Sequence, residues 1–85
     1  MKYRTIFRPE ARAELRKLPK SVTMNIFRKL EQLERNPLGL GTTAMVGMPE
    51  VRRLRVGDYR IIYTLDNGEL VIWVLNVGHR SRIYE

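Results

Sequence analysis

The chain predicts an α+β domain: an N-terminal strand, an antiparallel two-helix hairpin and then a three-stranded antiparallel sheet, β-α-α-β-β-β. Three observations lead there. Apolar residues recur at helical spacing between residues 11 and 33. Runs of β-favouring side chains fill residues 51–77, broken by Gly57-Asp58 and Asn67-Gly68. Residues 2–7 alternate polar and β-favouring side chains. Eighty-five residues, 44% hydrophobic and 29% charged, suffice for one modest core, so residues 1–85 read as a single domain.

The first strand covers residues 2–7 and puts Tyr3, Thr5 and Phe7 on one face. Pro9 suits a first helical position, where a missing N–H costs nothing. From there Ala11, Leu15 and Leu18 recur at i, i+4 and i+7 until Pro19 stops the helix. Arg8 stands at the N-cap, where Ser, Thr or Asp is favoured. Ser21 is the expected cap of a second helix, with Val22, Ile26, Leu30 and Leu33 as its buried stripe and Phe27 widening it, ended by Asn36-Pro37.

Residues 37–49 contain Gly39, Gly41 and Gly47 and show no period, which predicts a long loop. Strands follow at 51–56, 59–65 and 69–77, joined by tight turns at Gly57-Asp58 and Asn67-Gly68. Helices cover one face of this sheet; the other is left to carry arginines. Tyr59, Tyr63 and Trp73 are assigned to the core or its margin. Residues 78–85 form a short polar tail.

Sixteen Lys+Arg against nine Asp+Glu give a formal charge of +7, which points to a polyanionic partner: nucleic acid, an acidic membrane surface or an acidic protein. There is no cysteine, hence no disulfide, thiolate nucleophile or Cys-based zinc site, and a single histidine excludes a His-rich metal site. No apolar run has the length of a signal peptide or a membrane span, so the expected location is cytoplasmic, with no membrane partner. Nucleotide-loop, nucleophile-elbow and zinc-protease motifs are missing, and the acids do not cluster as a two-metal nuclease requires; no cofactor or metal is expected.

The chemistry concentrates late in the chain. A period of two puts Arg53 and Arg55 on one strand face, the next strand delivers Arg60, and Arg80 follows the last. Two readings fit: a solvated outer face whose charges keep an edge from aggregating, or a site for a bound polyanion that offsets the repulsion among like charges. Arg52 points to the opposite face and reads as structural. His79, the one side chain whose ordinary pKa lies near neutrality, is the candidate for moving a proton. Tyr84 stacks on a base, donates a hydrogen bond, or packs the tail onto the sheet.

Phe7-Arg8-Pro9-Glu10-Ala11 leading to Leu15-Arg16-Lys17-Leu18, the block Arg53-Leu54-Arg55-Val56-Gly57-Asp58-Tyr59-Arg60-Ile61-Ile62-Tyr63, then Val77-Gly78-His79-Arg80 and Ile83-Tyr84 together resemble the RelE branch of the RelE/ParE superfamily of toxin-antitoxin toxins. The resemblance implies a compact microbial ribonuclease fold and cleavage of mRNA in the ribosomal A site. It implies a RelB-like antitoxin that neutralises the toxin, and promoter DNA met only through that complex. It also implies that Arg53, Arg55, Arg60, Arg80 and Tyr84 serve the reaction. The ParE branch, which poisons DNA gyrase, shares the fold. The expected chemistry is metal-independent: the 2′-OH of an mRNA nucleotide attacks its own 3′-phosphate, with His79 as base and the arginines holding the phosphate.

Overall fold

In the computed structural model, which describes residues 2–39 and 41–81, the elements are β1 (Arg4–Phe7), α1 (Pro9–Arg16), α2 (Lys20–Arg35), β2 (Thr42–Met45), β3 (Met48–Val56), β4 (Tyr59–Asp66) and β5 (Val71–His79). Pro9 sets the boundary between β1 and α1. A residue before proline is pushed out of the helical region, and Arg8 is extended at φ −65°, ψ 153°. No side chain caps α1, as Arg8 at that position predicts.

Helix α2 begins one residue before the expected Ser21 cap. Pro19 takes the N-cap position, its carbonyl accepts from the backbone N–H groups of Val22 and Thr23, and Ser21 lies inside the first turn. Proline's fixed φ and missing donor define the start without a hydroxyl. Ile26, Leu30 and Leu33 are buried as their spacing predicts, and Val22 packs at the margin. Phe27 is half exposed, its ring edge-on to Phe7 at 6.0 Å.

The class is α+β as expected, but the sheet has five strands, in the order β1-β5-β4-β3-β2, and is mixed. Two corrections follow. Residues 37–49 are not all loop: Thr42–Met45 pair antiparallel with β3, in register Thr42 with Leu54, and β3 begins at Met48. Glycine punctuation concealed this strand, because Gly41 and Gly47 at φ 85° and 81° bracket only four paired residues, too few to show a period. Likewise β1 runs parallel to β5, pairing Arg4 with Val71 through Phe7 with Val74. Turn signals report only neighbours in sequence, so they cannot register this long-range pair.

The two expected turns differ from each other. Val56 pairs with Tyr59, leaving Gly57-Asp58 as a two-residue turn with Gly57 at φ 58°. No atom lies within 4 Å of a Cβ built there, so the glycine is needed for backbone angle and not for space. Between β4 and β5, however, Asp66 pairs with Val71 and the loop spans residues 67–70. Asp66 Oδ1 accepts from the Glu69 N–H at 3.0 Å, and Leu70 takes φ 56°. That carboxylate widens the turn beyond Asn67-Gly68.

The core lies between the helices and one sheet face: Ala11, Ile26, Leu30 and Leu33 against Leu54, Val56, Ile61, Tyr63, Ile72, Val74 and Val77. Tyr63 is fully buried, and its hydroxyl donates to the Pro37 carbonyl at 2.8 Å, so its polar atom is satisfied inside. Arg52 shares this face and donates to the Tyr63 hydroxyl and, at 2.9 Å, to Thr42 Oγ1. It thereby ties β2 to the core, in keeping with its structural reading. Tyr59 and Trp73 are half buried, Tyr59 on the helix side and Trp73 on the opposite face.

Candidate nucleic-acid interface

Register assigns each candidate to a face. Arg53 stands opposite Ile62 and Arg55 opposite Arg60, while Leu54 between them faces Ile61 in the core. Arg53, Arg55 and Arg60 therefore share the face turned away from the helices. Directly opposed residues hold their Cβ atoms about 5 Å apart, and like charges there repel. The protein relieves part of this by folding Arg60 back: its Nη1 donates to the carbonyls of Gly57 and Tyr59 at 3.1 and 3.0 Å, and the residue is buried. Arg55 stays exposed and, among the described residues, has no ion-pair partner. Arg53 is half buried.

Arg80 joins this group through the β3–β4 turn. Its backbone N–H donates to the Asp58 carbonyl at 2.7 Å, and its Nε lies 3.8 Å from Asp58 Oδ1. The end of β5 is thus fastened to the turn from which Arg55 and Arg60 diverge. Both partners are more than half exposed, so the ion pair is solvent-screened and the backbone bond supplies most of the positioning.

His79 is placed differently from the sequence expectation of a base beside the arginines. It pairs with Tyr59, whose other neighbour Val56 is in the core, so its ring lies on the helix side of the sheet. There it meets Tyr59 edge-on at 5.4 Å and 82°, and its Nδ1 lies 2.9 Å from Ser81 Oγ. The arginines and His79 are consequently separated by the thickness of the sheet at its end. Tyr84 lies outside the described residues.

A feature that sequence reasoning missed adjoins His79. Because Pro9 ends β1 after Phe7, the edge of β5 beyond Val74 has no strand partner, and the Val77 N–H instead donates to Glu14 Oε1 at 2.9 Å. Beside this bond α1 and the end of β5 bound a cleft of about 550 Å³ lined by Glu14, Lys17, Leu18, Tyr59, His79 and Ser81, among others. Nothing in the sequence signals it, since Glu14 and Val77 meet only through the fold.

Comparison with known proteins agrees with the fold. The family described as ParE toxin of type II toxin-antitoxin system, parDE, matches residues 5–84. Toxin RelG of Mycobacterium tuberculosis is 31% identical over 85 residues, covering 99% of this chain and 98% of its own. The mRNA interferase toxin RelE of Escherichia coli K12 is 31% identical over 84 residues, 96% of this chain and 87% of its own. Among solved structures, the toxin-antitoxin complex RelBE2 of M. tuberculosis superposes at a TM-score of 0.83 with 27% identity, covering 94% of this chain and 100% of that one. The isolated E. coli RelE toxin superposes at 0.80 with 26% identity over 91% of this chain and 83% of that one.

Proposed function

The chain belongs to the ParE toxin family of type II toxin-antitoxin systems and is a RelE-like toxin, and from that premise we propose that it is an endoribonuclease cutting mRNA in the ribosomal A site. The observation that carries this reading is the cross-strand opposition of Arg55 and Arg60, with Arg53 on the same face. Arg60 is held by the Gly57 and Tyr59 carbonyls, and the exposed Arg55 beside it offers a guanidinium fork that matches a phosphodiester.

In this reading the 2′-OH of one nucleotide attacks its 3′-phosphate, giving a 2′,3′-cyclic phosphate and a 5′-OH, a reaction DNA cannot undergo. Arg53, Arg55 and Arg60 hold the phosphate and stabilise charge growing on its equatorial oxygens. Arg80 sits at the leaving oxygen as an electrostatic stabiliser, because a guanidinium does not readily give up a proton. Tyr84 orients the nucleotide. His79, being on the helix side, does not reach the same face, and its placement favours nucleotide contact over the base role. Dependence on the ribosome accounts for so sparse a set, since the ribosome holds the codon in place.

The partner is a RelB-like antitoxin, in line with the toxin-antitoxin complexes among the structural relatives, and it holds the toxin inactive in the cytoplasm. No helix among the described residues is long and apolar enough to cross a membrane.

The ParE description of the matching family favours a second reading, gyrase inhibition with mRNA left intact. A third is RNA binding without cleavage. Primer extension on a translated message, with and without ribosomes, separates them. Cleavage that needs ribosomes supports the first; arrested replication with intact message supports the second, and neither effect supports the third.

A further inference from the structure

We propose that the cleft between α1 and the end of β5 is a base-binding subsite for the nucleotide next to the phosphate held by the arginines, and that Glu14 sets which bases it accepts. This rests on the RNA-cleavage reading and extends it to the second side of the sheet.

The cleft has a ligand's dimensions: about 550 Å³ falls within the roughly 300–1,000 Å³ of small-molecule sites. It opens at the same end of the sheet as Arg80, since His79 and Ser81, which line it, flank that residue in the chain and the Arg80 N–H donates to the Asp58 carbonyl in the β3–β4 turn. In this proposal the RNA passes from the arginine face around the sheet end into the cleft. Waiting there are two half-buried rings, Tyr59 and His79, and the apolar Leu18, surfaces suited to a flat base. Lys17, three residues after Glu14 on α1, supplies a cation for the phosphate that follows and offsets the carboxylate's repulsion of RNA.

Specificity comes from the asymmetry of Glu14. Its Oε1 is taken by the Val77 N–H, which fixes the side chain, while among the described residues Oε2 makes no hydrogen bond. An ionised carboxylate only accepts, so Oε2 pairs with the exocyclic amino group of adenine, cytosine or guanine, whereas uracil has no amino group, offers it only N3–H and sets a carbonyl oxygen on either side of that donor. The subsite therefore selects against uracil at one position beside the cut.

Glu14→Gln tests this without dismantling the tether, since the amide oxygen still receives the Val77 N–H and the amide nitrogen now donates. Cut sites would be mapped by primer extension on translated messages of varied sequence, with thermal melts as a check on folding. Discrimination against uracil at one flanking position is expected to fall roughly tenfold in Glu14→Gln. Lys17→Ala is expected to lower cutting evenly at all sites and to reduce the salt slope of RNA binding by about one. Unchanged cut-site proportions in a folded Glu14→Gln variant overturn the subsite while leaving the cleavage reading intact. A wild-type protein that cuts no message overturns both. Unchanged cutting combined with weaker capture of the neutralising antitoxin in both variants makes the cleft a protein groove, and the proposal is then wrong.

Discussion

The two faces of the sheet are built from the same strands yet obey opposite rules. On the helix side Leu54, Val56, Ile61, Tyr63, Ile72 and Val74 pack against α1 and α2, and each polar atom that enters, such as the Tyr63 hydroxyl, is given a partner. On the other side Arg53, Arg55 and Arg60 stand where neighbouring strands bring like charges together. The first arrangement buries apolar surface, whereas the second gathers like charges that the fold accommodates in part by turning Arg60 onto backbone carbonyls.

Substitutions on the two faces should therefore separate stability from activity. The largest effect on stability is expected from Ile26→Ala, which leaves a cavity in a fully buried position and should cost about 2–5 kcal/mol in a denaturant titration. On the other face, Arg80→Ala or Arg55→Ala should leave the denaturation midpoint nearly unmoved. Ribosome-dependent cleavage should nevertheless fall about 10²–10³-fold with growth arrest lost. A folded Arg80→Ala protein that remains fully toxic removes Arg80 from the reaction.

A smaller loss is expected for Tyr63→Phe, which deprives the Pro37 carbonyl and the Arg52 guanidinium of a partner: about 1–2 kcal/mol by thermal melting, with cleavage of the folded fraction unchanged. Smallest is Asp58→Ala. The ion pair to Arg80 is solvent-exposed and the backbone bond survives, so stability should shift by under about 0.5 kcal/mol, and by less still in high salt. A larger shift there would mean that the carboxylate, and not the backbone, positions Arg80.

The helices and the central hairpin were legible because their signals are local. Ile26, Leu30 and Leu33 repeat at helical spacing, and Gly57 with Asp58 announces a two-residue turn. What escaped was set by contacts between distant segments. Four residues of β2 between two glycines carry no period, and no turn signal connects β1 with β5. The same division holds at the site. Strand alternation placed Arg53 and Arg55 together, and the antiparallel register adds Arg60. His79 defeated the expectation because proximity in sequence to Arg80 says nothing about side: adjacent residues at a strand end face opposite ways. The cleft depends on Glu14 meeting Val77, which alternation and periodicity do not encode.

The pairing of β1 with β5 also bears on synthesis. Arg4 finds its neighbour only when Val71 exists, and the amide of Arg80 reaches Asp58 later still, so a nascent chain emerging from the exit tunnel is without its finished sheet until the last strand is out. The toxin thereby completes its sheet only after nearly the whole domain has been synthesised.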